Sequence, residues 1–175
     1  DFTHQKIGKT MQVIFSTNFG KITLELNAEK APKTVANFVQ YVQDGHYDGV
    51  IFHRVINGFM IQGGGFDAEM NQKPTRATIE NEAGNGLKND KYTIAMARTS
   101  APHSASAQFF INVSNNASLN FTAPNGNGFG YAVFGKVIDG TEVVDAIKNV
   151  KTGRLAGHSD VPVETVMIIK AEVVA

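Results

Sequence analysis

The sequence predicts a mainly β fold, a barrel or sandwich of seven or eight short strands, most of them antiparallel, with two helices covering open ends. Three observations predict it. Short apolar and β-branched runs recur along the chain, separated by turns rich in Asn and Gly. Only two stretches carry apolar residues at helical spacing. A chain of 175 residues with 42% hydrophobic content can bury one good core and is short for two ordinary domains. Closing such a sheet would remove the edges that so many strands otherwise expose.

The elements follow in order. Residues 1–10 are polar and basic without useful periodicity, as in an appended or processed segment ahead of a single domain spanning 11–175. If Met11 is the natural start, no export signal precedes the first strand, which points to the cytoplasm; if Asp1 is a cleaved terminus, an exported, periplasmic location is the alternative. Gln12 to Thr17 and Ile22 to Leu26 form strands around Asn18-Phe19-Gly20, a hairpin signal. Pro32 suits the first turn of a helix, and Val35, Phe38, Val39 and Val42 form its apolar stripe before Gly45 ends it. Phe52 to Phe66 reads as strand, tight turn at Asn57-Gly58, and returning strand. Period-2 alternation puts His53, Val55 and Asn57 on one side and Phe52, Arg54 and Ile56 on the other. Arg54 thereby shares a face with large hydrophobes, and a cation there needs a reason, the plainest being an ion-paired core arginine. On the returning strand Met60 and Gln62 share one face, and Phe59, Ile61 and Gly63 the other.

Asp67 to Asn89 has little periodic apolar content and reads as a long connection around the core. Tyr92 to Ala97 and Ala107 to Val113 are strands flanking a polar loop, Arg98 to Ser106; Ser114 to Gly130 is rich in Asn and Gly. Tyr131 to Val137 is a strand, Thr141 caps a short helix with Val143, Val144 and Ile147 as its stripe, and Thr165 to Val174 is the last strand.

Composition removes several function classes. Lys plus Arg and Asp plus Glu are 16 each, so nothing electrostatic favours a nucleic acid or an acidic membrane as partner. No apolar stretch approaches the roughly 18 residues of a membrane span. The absence of cysteine removes thiolate nucleophiles, disulfides and cysteine-based zinc sites. The five histidines show no metal-ligand spacing, and Gly63-Gly64-Gly65 lacks the Lys-Ser/Thr and the following helix of a phosphate loop, so close backbone approach is the better reading. His103 and Ser104 are chain neighbours without a nucleophile elbow, which argues against a serine hydrolase. Glu80 and Glu82 lack an opposing carboxylate for glycoside chemistry and read as solvated surface charges. What remains has no nucleophile: Phe59, Met60, Phe110 and Ala97 make an apolar floor, and Arg54, Gln62 and Gln108 supply donors at its wall. Such a surface suits an extended peptide. Phe38, Phe109 and Phe134 read as core.

Phe52-His53-Arg54-Val55-Ile56-x-Gly58-Phe59-Met60-Ile61-Gln62-Gly63-Gly64, Ser106-Ala107-Gln108-Phe109-Phe110-Ile111 and Val133-Phe134-Gly135-Lys136-Val137 resemble the signature segments of the cyclophilins. Met96-Ala97-Arg98-Thr99 and Asn81-Glu82-Ala83-x-Asn85-Gly86-Leu87 resemble the bacterial branch. The resemblance implies a closed eight-stranded antiparallel barrel capped by two helices, and peptidyl-prolyl cis/trans isomerase activity with no metal or organic cofactor. It makes Arg54 the catalytic residue, and Phe59, Met60 and Phe110 the seat of the proline ring. Gln62 and Gln108 become the polar wall, and Ala97 and Arg98 the segment that meets the substrate backbone. Tyr131 stands where eukaryotic members have a pocket histidine. The family's large rim aromatic falls on Ser118, beside Leu119, which implies weakened cyclosporin binding, with Phe121 nearby to fill part of the space. Implied partners are proline-containing peptides and unfolded or folding proteins; a closed barrel without an evident large apolar patch points to a monomer. A non-catalytic proline-peptide-binding or chaperone module on the same barrel is the alternative.

Overall fold

The computed structural model describes residues 11–126 and 128–174, so the segment 1–10 lies outside the described residues. Among the described residues there are ten strands: β1 Met11–Thr17, β2 Gly20–Leu26, β3 Arg54–Ile56, β4 Met60–Gly63, β5 Thr93–Met96, β6 Phe109–Asn112, β7 Val133–Asp139, β8 Thr152–Leu155, β9 His158–Pro162 and β10 Ile168–Val174. The helices are α1, Pro32–Gln43, and α2, Thr141–Lys148, with 3-10 turns at Ala83–Asn85 and Ala117–Leu119. Eight strands form one curled antiparallel sheet in the order β10-β1-β2-β7-β5-β6-β4-β3, while β8 and β9 pair as a separate ribbon. Among the described residues no helix is long and apolar enough to cross a membrane.

The sheet's two edges, β3 and β10, meet without a ladder. The residues just ahead of them make a single bridge, Ile51 to Met167, and a few backbone bonds, Phe52 N–H to the Val166 carbonyl at 2.9 Å and Ile168 N–H to Val50 at 2.8 Å. Further along, the Asp48 carboxylate accepts the Ala171 N–H at 2.9 Å and takes the place of a strand partner. The expected closed barrel is therefore a curled sheet that is not fully closed: at this seam β3, three residues long, offers no ladder for β10 to join.

Two apolar clusters lie on opposite faces of the sheet. The larger contains Phe15, Phe38, Tyr47, Phe52, Phe109 and Phe134. Phe38 of α1 seats against Phe134 at 5.0 Å and Phe109 at 5.8 Å between ring centroids, so the helix plugs the core. The smaller cluster is Met60, Ala95, Phe110 and Val133, with Phe59, Leu119 and Tyr131 half-buried against it. Phe109 and Phe110 thus point to opposite sides, as alternation requires.

Alternation fails just outside the strands. Phe52 precedes β3 and turns into the large core against Phe109, so it does not share the face of Arg54. Phe59 lies in the turn before β4 and sits with Met60, not with Ile61. Tyr41, unassigned by the helical stripe, is buried on α1, while Val39 is only half-buried.

α1 starts at Pro32, as the proline indicates, whereas the start of α2 differs from expectation. α2 begins after Gly140, held at φ 91°, where a Cβ would strike the Lys21 carbonyl, so Thr141 is the first helical residue and caps nothing. α1 has no side-chain cap of its own. Instead Glu82, expected to be a solvated charge, reaches across from the long connection and accepts from Thr34 N–H (2.7 Å), Thr34 Oγ1 (2.6 Å) and Lys33 N–H (3.3 Å). A carboxylate there satisfies orphan donors and opposes the positive end of the helix dipole.

Candidate active site

The hairpin β3–β4 sets Arg54 directly opposite Gln62 and Ile56 opposite Met60, and β4 sets Gln62 opposite Phe110. Side chains directly opposite on one face approach closely. Arg54 Nη1 lies 3.5 Å from Gln62 Oε1, and Gln62 donates through Nε2 to Gln108 Oε1 at 3.0 Å. Among the described residues Arg54 makes no ion pair and is exposed, so it is not an ion-paired core arginine.

Beside Arg54 opens a cavity of about 140 Å³ lined by Phe59, Met60, Gln62, Ala97, Arg98, Phe110, Leu119 and Tyr131 as well. Every lining residue is one singled out from the sequence. Two candidates lie outside it. Gln108 lines an adjoining depression with Gln72, Thr99, Ser104 and Ser106, a polar extension not foreseen from the sequence. Ser118 is exposed on the 3-10 turn, leaving that part of the rim bare. Phe121 does not fill it: its ring packs edge-on to Phe129 at 5.5 Å and lies over Gly84.

Arg98 is spent on the protein itself. Its Nε and Nη2 both donate to the Gly130 carbonyl at 3.0 Å, Nη1 donates to Thr99 at 2.8 Å, and the guanidinium stacks 4.5 Å over the Tyr131 ring. Tyr131 in turn meets Phe110 edge-on at 5.7 Å. The arginine therefore holds the aromatic wall in place.

The glycine run serves close approach. A Cβ at Gly65 would stand 2.6 Å from the Gln108 side chain, and one at Gly64 would stand 3.0 Å from the Ala107 carbonyl. His103 and Ser104 do not meet as base and nucleophile: His103 Nδ1 accepts from Asn81 N–H, and Ser104 Oγ donates to Ala101 and accepts from Thr99 N–H. Among the described residues no cluster of three metal-type ligands occurs.

Behind Arg54, His53 is buried at 5% exposure, against Phe66 and His158. Burial, with the nearby His158 and Arg54, lowers its pKa from 6.5 to about 4. It is therefore neutral near neutrality, and the only formal charges lining the cavity are those of the two arginines.

Apolar floor, amide wall and one free guanidinium, carried on this sheet, define a class. The model of the family described as cyclophilin type peptidyl-prolyl cis-trans isomerase/CLD matches residues 12–173, and the chain belongs to that family. It is a peptidyl-prolyl cis-trans isomerase of the bacterial kind. It is 63% identical over 161 residues to peptidyl-prolyl cis-trans isomerase cyp18 of Streptomyces antibioticus, covering 92% of this chain and 97% of that one. Against peptidyl-prolyl cis-trans isomerase B of Escherichia coli it is 58% identical over 156 residues, covering 89% and 95%. A cyclophilin of Cryptosporidium parvum solved in the presence of the dipeptide Ala-Pro superposes with a TM-score of 0.77 at 29% identity, over 94% of this chain and 99% of that one.

Proposed function

We propose that the cavity beside Arg54 is where the X-Pro bond is rotated. The observation that carries the reading is an exposed, carboxylate-free guanidinium opposite an amide pair, at the edge of a floor made by Met60 and Phe110. The proline ring sits on Phe59, Met60 and Phe110, with Leu119 and Tyr131 beside it. The Arg98 guanidinium is engaged with Gly130 and Tyr131. The Ala97-Arg98 segment therefore meets the peptide through its main chain.

Rotation is slow because resonance gives the C–N bond partial double-bond character, with a barrier of about 18–20 kcal/mol. Moving the amide out of water removes the hydrogen bonds to its carbonyl that favour the charge-separated form. A donor aimed at the proline nitrogen localises the lone pair and weakens the double bond further. Arg54 is that donor. A roughly million-fold acceleration asks for about 8 kcal/mol, shared by desolvation, the arginine and backbone anchoring. No histidine, carboxylate or lysine lines the cavity, and arginine stays charged at every working pH, so turnover is flat around neutrality. A bell-shaped profile near pH 7 would count against this mechanism.

Exchange spectroscopy on a short X-Pro peptide tests the assignment. Arg54→Ala lowers turnover by about 100-fold or more and leaves the fold intact; near wild-type exchange in that variant sinks the role of Arg54. Clients are unfolded or folding chains, because the cavity has room for little beyond one proline and its neighbour. Cyclosporin binds weakly for want of an aromatic at the bare rim. Ser118→Trp tightens it by about tenfold, and an unchanged Kd would refute that account.

A further inference from the structure

Three of the residues around the cavity come from separate segments: Phe59 from the turn before β4, Leu119 from the 3-10 turn, and Tyr131 from the stretch before β7. Behind them run three asparagines. Asn116 Nδ2 donates to the Phe59 carbonyl at 2.8 Å and to Asn112 Oδ1 at 2.7 Å. Asn112 Nδ2 donates to Asn89 Oδ1 at 3.0 Å and to Thr93 Oγ1 at 3.0 Å. Asn89 Nδ2 donates to the Leu119 carbonyl at 3.1 Å and the Tyr131 carbonyl at 3.2 Å. Asn112 is fully buried and Asn89 is 1% exposed.

The polarity of this chain of amides is fixed at both ends. Backbone carbonyls can only accept, so Asn116 and Asn89 must each turn Nδ2 toward the walls. Asn89 then offers Oδ1 to Asn112, which must answer with Nδ2 and so presents Oδ1 to Asn116. The amide at position 112 serves both neighbours at once, donating to one and accepting from the other. Asn112 sits two residues beyond Phe110 on β6, on the same face, where the apolar floor would otherwise continue. A buried amide in that place is costly unless every hydrogen bond is made, and a satisfied network fixes one geometry.

We infer that Asn89, Asn112 and Asn116 are positioning residues that set the width of the proline-ring cavity and hence its selectivity for a five-membered ring. None of them lines the cavity; they act through the backbone of Phe59, Leu119 and Tyr131. The inference rests on reading the cavity as the seat of the ring.

Steady-state exchange rates for paired peptides test it, one carrying proline and the other its six-membered homologue pipecolic acid, each measured well below the variant's own melting temperature. Asn112→Asp keeps the size and removes the central donor; Asn116→Ala cuts one end, where the Phe59 carbonyl still keeps the Val113 N–H at 3.0 Å. Both lower kcat/KM for the prolyl peptide by about tenfold, mostly through KM, and lower the preference for proline over pipecolic acid by a similar factor. Glu82→Ala, which loosens the start of α1 and removes no bond to the three amides, leaves both quantities at wild-type values. Variants that melt earlier yet keep wild-type kcat/KM and ring preference overturn the inference, making the asparagines purely structural. If Asn112→Asp does not fold, Asn116→Ala carries the test alone. Failure of the cavity reading looks different: Phe110→Ala, in the floor itself, would then turn over both peptides as wild type does.

Discussion

Phe109 and Phe110 follow one another on β6, both buried, and their surroundings have almost nothing in common. Phe109 is enclosed by other rings, among them Phe15 at 5.3 Å and Tyr47 at 5.4 Å. Phe110 has carbon on one side and a cavity bounded by Gln62, Arg54 and Arg98 on the other. One side of the strand is closed by close-packed hydrocarbon, which holds the fold. The other is closed by loops bound to one another through polar groups, which leaves a shape for a ligand to fill.

Truncating each ring is the strongest way to break that contrast. Phe109→Ala costs about 3–5 kcal/mol of stability in denaturant titrations. Phe110→Ala costs less stability and raises KM for a prolyl peptide by about tenfold or more. Equal stability losses with unchanged KM would erase the distinction. Next in size is the contrast between His53 and Arg54, adjacent but buried and exposed. Below pH 6.5 the unfolded chain takes up a proton on His53 that the folded chain refuses until about pH 4. Stability is therefore full above pH 6.5 and falls as the pH drops toward 4, by about 3 kcal/mol at most. Melting curves over that range for wild type and His53→Leu check this: the variant loses that component of the slope, and an unchanged slope would mean that another group carries it. Smallest is Arg98→Lys, which removes the forked contact to Gly130 and weakens the stack on Tyr131. A rise in KM of about threefold with kcat unchanged is expected; a fall in kcat alone would give Arg98 a direct part in the reaction.

The residues that could be read from the sequence are those whose signal is local. Asn57-Gly58 marks the β3–β4 turn, and once the turn is fixed the pairing of Arg54 with Gln62 follows. Pro32 and the stripe through Phe38 mark α1. The ribbon β8–β9 signalled only its turn, where Gly157 at φ 82° follows Ala156 at φ 53°; Thr152 to Pro162 lacks the apolar alternation that would have marked the strands themselves. Asn112 did carry a signal, a polar residue interrupting the apolar run of β6 on the face of Phe110. Asn89 and Asn116 carried none, because the wall groups they hold are backbone carbonyls, such as Phe59's, 57 residues from Asn116. The guanidinium of Arg98 was equally unreadable, since its acceptor, Gly130, lies 32 residues away.

The carboxylate of Glu82 that completes the start of α1 comes from a residue 48 positions later. A helix capped by its own neighbour has that bond as soon as it forms. α1 acquires it only after the long connection has closed around the core, an event with a large loop entropy. In kinetic terms the cap belongs to the downhill side of the folding barrier. Removing Glu82 should quicken unfolding and leave the folding rate almost untouched, which the two arms of a chevron plot would report separately.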